Sequence, residues 1–252
     1  MGVDTGVQTY AELLDAAFDE QVTAWTAQAE RDHRFPRPLL EHLGEAGVFT
    51  QKWADRKHTD LHDHFALGRH LGSLGSAAIG VGVSLHDSAI AILRRFGRND
   101  FLKDLAQRAM TTDAVLCIGA SEEQGGSDLQ NSETRIFAED GGYRVVGGTR
   151  SSSRSRRSPT TCWSCAAASR TAPDTGGNVA LAAVPIDKVR VGVPYEKLGA
   201  GPLDTAPPVT IDAWIPRGGA DRAPGNGSGR HQLGALRTNG IRSPLRSRPP
   251  AM

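Results

Sequence analysis

Three groups of residues in this 252-residue chain have types and spacings that could do chemistry. The first is a loop of Ser121, Glu122, Glu123, Gln124, Gly125, Gly126, Ser127 and Asp128. It sets hydroxyls and carboxylates, which can hold or move protons, beside paired glycines that let a backbone approach a bound ring or anion closely. Taken alone, such a loop is also an ordinary hairpin turn. The second group is His58, His62, His64 and His70, which suggests a metal site. Only His58 and His62, four apart, share a helical face, and no His-Glu-x-x-His is present, so a solvated helix start is the better reading. The third is Cys162 and Cys165, spaced as a redox pair or as half of a zinc site. There is no second cysteine pair to complete a zinc site, and His231 is the single later histidine. His86 ends an apolar run, where a packed or capping role is expected.

The elements that must position these groups follow from periodicity. Tyr10, Leu14, Phe18, Val22 and Trp25 recur every three or four residues, which predicts one amphipathic helix from Gln8 to Arg31. Pro36 and Pro38 separate it from a helix at Leu39 to Gly47, with Gly47 as its stop. Asp60 can cap a third helix, running through Phe65, Leu67 and Leu71. Ala77 to Phe96 is nearly all apolar, as in a helix buried on most sides, and Phe101 to Met110 is short and amphipathic. Helices with short breaks predict a bundle. Past Asp113 the pattern changes. Strands are predicted at Ala114–Ile118, Glu133–Ala138, Arg144–Val146, Val179–Pro185, Val189–Val193 and Val209–Trp214, with a hairpin turn at Glu139 to Tyr143. The fold class expected is α+β. An N-terminal α-helical bundle at 1–112 precedes an incomplete β-barrel-like domain at 113–216 and a disordered tail at 217–252.

The net charge of +1 hides a split: residues 1–140 hold 22 acids and 13 bases, whereas 141–252 hold 6 acids and 16 bases. Twelve of those 16 bases lie in 150–171 and 217–252, all of them Arg, with Asp221 the single acid there. An Arg-rich tail on a non-catalytic remnant or scaffold could bind nucleic acid non-specifically. Against a specific nucleic-acid role, these runs lack Lys, interleaved aromatics and any recognisable module. Met1 to Tyr10 carries no basic-then-apolar pattern and no run of about 18 apolar residues occurs, so neither a leader nor a membrane span is expected. Three cysteines without a leader fit a reducing cytoplasm.

Together with Thr134 and Arg135, Asp140 to Tyr143 and Gly147 to Thr149, the loop resembles the middle-domain signature of the acyl-CoA dehydrogenase family. That signature is Thr-Glu-Pro-x-x-Gly-Ser-Asp, then Thr-Arg/Lys-Ala, Asp-Gly-x-Tyr and Gly-x-Lys. Val184 and Pro185, Lys197 to Gly199, Leu203 to Ala206 and Val209 to Pro216 extend the match. So do Phe35 and Pro36, Leu39 and Leu40, Gly47 and Val48, and the helix ending in Val83 to His86. The resemblance covers about residues 8–149 and 178–216. Glu123 stands where Pro is usual, and Gln124 adds bulk.

This resemblance implies an FAD-dependent oxidoreductase that desaturates an acyl thioester between its α and β carbons. The acyl group would be carried by CoA or an acyl carrier protein. It also implies an electron-accepting flavoprotein as partner and a homo-oligomer for full-length members. By position, Ser121 replaces the Thr whose hydroxyl bonds the flavin. Ile118 and Ala120 would meet the flavin edge through their backbone. Gly126 and Ser127 would line the flavin and thioester, with Ser127 and Asp128 on the substrate side. The family's catalytic Glu lies in a C-terminal helical domain that has no counterpart here. Glu122, Glu123, Asp128 and His86 are the nearest substitutes, and none matches a family base position. The expectation is a truncated, inactive chain that binds flavin weakly or not at all.

Residues 150–171 fit neither helix nor strand, yet stand where the family carries two apolar strands around Ala-Asp. Read one base over, from the third base of one codon into the next, Cys162 and Trp163 together encode Leu. With GC-rich codons, 150–171 becomes VVLTLAPVADDLLVVRRRLAD. In the other offset, 219–236 becomes ALIARPGTGLAAISWGLC, which resembles the family's linker. Both stretches are therefore expected to be frame-shifted, which the nucleotide sequence of the gene tests.

Overall fold

Asp19 divides what periodicity reads as one helix. Its carboxylate accepts the Val22 N–H at 3.0 Å and opens a new helix, so the stretch from Gln8 to Arg31 becomes two. The computed structural model describes residues 8–53, 60–97, 99–121, 133–151, 162–171, 179–190, 193, 195–203, 205 and 209–216. Its helices are α1 (Tyr10–Ala17), α2 (Glu20–Asp32), α3 (Arg37–Glu45), α4 (Val48–Trp53), α5 (Leu61–Ser73), α6 (Ala77–Phe96) and α7 (Asp100–Met110). Its strands are β1 (Val115–Ser121), β2 (Arg135–Glu139), β3 (Gly142–Ser151), β4 (Cys162–Thr171), β5 (Val179–Pro185), β6 (Val189–Arg190) and β7 (Val209–Pro216).

Local chemistry accounts for the helix ends. Thr9 and Glu12 form a capping box at α1. Asp60, Ser76 and Asn99 each accept a backbone N–H at the start of α5, α6 and α7. Gly47, at φ 82°, stops α3 in the left-handed conformation that glycine adopts without strain. One core forms where the helices converge, with Leu14, Leu39, Leu43, Phe49, Ile90 and Leu105 almost fully buried, and Leu116 of β1 belongs to it.

By length and composition alone, α6 is long and apolar enough to cross a membrane. The helix is nevertheless interrupted by Ser84, His86, Asp87 and Ser88, so it is no uninterrupted apolar run. Its apolarity has a local cause, because the buried half of Ala77–Arg95 packs within the helical core.

The strands form one sheet in the order β1-β4-β2-β3-β7-β6, with β5 on β4 and a further pairing of β1 with β3. The pairings β1–β4, β4–β2, β2–β3 and β3–β1 close a ring, giving the barrel-like character expected of an α+β fold. The β2–β3 hairpin turns at Asp140 and Gly141, where Gly141 has φ 72°. A second, smaller core of Ile136, Tyr143, Val145, Val184, Ile211 and Ala213 lies on this sheet.

Residues 150–171 need a correction. β3 runs on through Arg150 to Ser151, and Cys162–Thr171 forms β4, parallel to β1 and antiparallel to β5. Backbone pairing on both edges holds a strand there despite side chains of poor strand pattern. The tail at 217–252 lies outside the described residues.

Candidate functional site at the end of β1

β1 leaves the helical core and ends at the candidate loop. Leu116 is buried, and Ile118 is half-buried and packs against the same core. One edge of β1 is covered by β4, from Val115 opposite Cys162 to Gly119 opposite Ala166. The other edge meets β3 only at its far end, where Gly119 faces Ser151 and Ser121 faces Arg150. Two steps on β1 oppose one on β3, so Ala120 is an extra residue, a β-bulge. Its main-chain groups have no opposite residue on β3. Ala120 and Ser121 are thus placed by their backbone at the strand end. Glu122, Glu123, Gly126, Ser127 and Asp128 lie outside the described residues.

His86 stands against the opposite end of the same edge. The Leu116 N–H donates to its Nδ1 at 3.1 Å, so Nε2 carries the proton and donates to the Ala109 carbonyl at 3.0 Å. The ring meets Phe49 edge-on, with centroids 5.1 Å apart. Burial pushes the imidazole down to about 4, so it is neutral at pH 7. Both nitrogens are engaged inside the protein, which removes His86 from the substitutes for a catalytic base.

Beside His86, Asp87 turns into the helical core. Lys52 Nζ donates to its Oδ2 at 2.5 Å, and Trp53 Nε1 to its Oδ1 at 2.7 Å. Lys52 also lies 3.4 Å from His64 Nδ1. Tyr10, whose buried hydroxyl has no hydrogen-bond partner among the described residues, is pushed above the usual phenol range by burial first and then by the charges of Asp87 and Asp63. Sequence reading missed this network, although one signal pointed to it: Asp87 is the lone acid within the apolar run of α6.

The histidine group is dispersed. His62 is exposed, His64 reaches Lys52, His70 bonds Asp15 and the Ala66 carbonyl, and His58 lies outside the described residues. Among the described residues no three His, Cys, Asp or Glu side chains are grouped to hold a metal. Cys162 and Cys165 both fall within β4.

The end of β1 fits a flavin. The ring is flat, apolar on its faces and hydrogen-bonding at its rim. Here a half-buried Ile118, a glycine without side-chain bulk at 119 and a bulge free of the β3 ladder follow one another.

No family model matches the chain. An acyl-[acyl-carrier-protein] dehydrogenase of Mycobacterium sp. (strain MCS), MbtN, is 51% identical over 223 residues, which is 87% of this chain and 56% of that protein. Among solved structures, a probable acyl-CoA dehydrogenase from Mycobacterium abscessus shares the fold with a TM-score of 0.69 at 20% identity, covering 82% of this chain and 56% of that one. A glutaryl-CoA dehydrogenase from Mycobacterium smegmatis in complex with FADH2 does so at 0.66 and 15% identity, covering 82% and 53%. The chain spans about half the length of the curated relatives it matches. Identity at half the aligned positions along most of its length, together with the shared fold, makes this chain a member of the acyl-CoA dehydrogenase family.

Proposed function

We propose that this chain belongs to a flavin-dependent acyl-thioester dehydrogenase acting on acyl groups held by an acyl carrier protein, and that the end of β1 forms one wall of its FAD site. The 51% identity to an acyl-[acyl-carrier-protein] dehydrogenase carries the reading. CoA-directed relatives stand further off, the mitochondrial short-chain enzyme of Bos taurus at 24%. FAD, when bound, supplies acceptance of a hydride. The residues of this chain orient and enclose. Ile118 offers an apolar flank, and the bulge at Ala120 offers main-chain hydrogen bonds without side-chain bulk. The Ser121 hydroxyl toward the flavin is a role taken from the family resemblance. Roles for Gly126, Ser127 and Asp128 rest on the family resemblance alone. No residue of this chain is assigned as the proton acceptor. We place the protein in the cytoplasm, with an electron-accepting flavoprotein as its partner.

Adding excess FAD to the chain and following backbone hydrogen exchange tests this. Slowed exchange at Ile118, Gly119, Ala120 and Ser121 is the expected result. Unchanged exchange there would overturn the reading.

A further inference from the structure

We propose that His86 is a positioning residue for the flavin-facing strand: its imidazole accepts the Leu116 N–H on the edge of β1 that β4 does not cover, and so sets where Ile118 to Ser121 lie. The proposal rests on the flavin reading above.

The need for such a residue follows from the pairing of β1. β4 covers one edge from Val115 to Gly119, but β3 reaches the other edge only from Gly119 onward. Among the described residues, no strand lies beside the second edge at Val115 and Leu116. Leu116 lies there almost fully buried, where an N–H without an acceptor is costly. His86 Nδ1 accepts that N–H at 3.1 Å. The other ring nitrogen donates to Ala109, in the last turn of α7, just before the chain turns into β1. One flat side chain thus ties α6, the end of α7 and the start of β1 together. Phe49 against its edge and 1% exposure leave the ring no room to turn.

The chemistry of the ring suits the task. Leu116 needs an acceptor and Ala109 needs a donor, and a neutral imidazole presents one of each on a rigid frame. Burial keeps it neutral. A protonated ring would set N–H against N–H at Leu116. From Leu116 to Ala120 the chain is an extended strand of roughly 13 Å, so an anchor at its base fixes the direction of its end.

The test compares His86→Leu and His86→Gln in the full chain, read by amide exchange with and without excess FAD. Leu keeps apolar volume and removes both hydrogen bonds, whereas Gln keeps a donor and an acceptor. The expected result is exchange roughly ten- to a hundredfold faster from Leu116 to Ser121 in the Leu variant, with α2 and α5 unchanged. Gln restores most of the protection. Equal acceleration throughout the molecule, or identical behaviour of Leu and Gln, overturns the proposal. If the Leu variant does not fold, nitrogen NMR of the unsubstituted protein decides: a neutral Nε2–H ring coupled to the Leu116 amide supports the proposal, and a charged or freely rotating ring overturns it. Absence of FAD protection in the unsubstituted chain defeats the flavin reading. In that case the exchange pattern of the variants still decides whether His86 sets β1.

Discussion

α6 and β4 both occupy central places, and they are built in opposite ways. α6 is almost uniformly apolar, and its two buried polar side chains are fully engaged: His86 by α7 and β1, Asp87 by Lys52 and Trp53. β4 lies between β1 and β5, and strands are enriched in β-branched and aromatic residues. Its residues instead are Cys, Trp, Ser, Cys, three Ala, Ser, Arg and Thr. If this segment is frame-shifted, with GC-rich codons, a Leu-Leu-Val-Val run would fall at about this stretch. The difference teaches that a backbone position and a sequence fit for it are separate facts. In α6 the two agree, and in β4 they do not.

The largest expected effect probes the well-specified side of that contrast. Lys52→Ala leaves the Asp87 carboxylate buried without its cation and should cost about 3–5 kcal/mol in urea unfolding. A loss well below that would mean the α4–α6 contact is looser than the core around it. Acid comes next. The His86 imidazole titrates at about 4 when folded and near 6.5 when unfolded. Between these values the unfolded chain binds a proton that the folded chain refuses. Stability from this group is therefore complete above 6.5 and declines as the pH falls to 4, by about 3 kcal/mol in all. His86→Gln should abolish that part of the acid slope. Asp19→Ala removes the cap that separates α2 from α1 and should cost about 1 kcal/mol, measured by thermal unfolding. Smallest is Arg144→Ala on the sheet. Its bonds to Asp212 across β3 and β7 hold the Arg144 guanidinium above and the Asp212 carboxyl below their ordinary ranges. Both groups lie on the exposed face of the sheet, so the melting temperature should barely move.

How much could be read from the residues differs between the same two regions. Apolar spacing located α3, α5, α6 and α7 because each buries a stripe in one core, and Gly47 and Asp60 marked ends that the backbone confirms. The break at Asp19 escaped because Phe18 and Val22 continue the apolar spacing across it, while the cap is a single hydrogen bond. The short α4 escaped because six residues offer too little period, and with it went Lys52. At the candidate site, Ile118, Ala120 and Ser121 were assigned by resemblance. The bulge that gives Ala120 its main-chain freedom depends on β3, thirty residues away, and no local pattern encodes it. The role of His86 was legible as packing but not as a link to β1, for the same reason: its partners lie on α7 and β1.

The most direct test of the account compares FAD affinity in two chains, the present one and one in which 150–171 is replaced by VVLTLAPVADDLLVVRRRLAD. The account predicts weak binding by the first and clearly tighter binding by the second, with slowed exchange at Ile118 to Ser121 in both. Equal affinity, or tighter binding by the present chain, would contradict it.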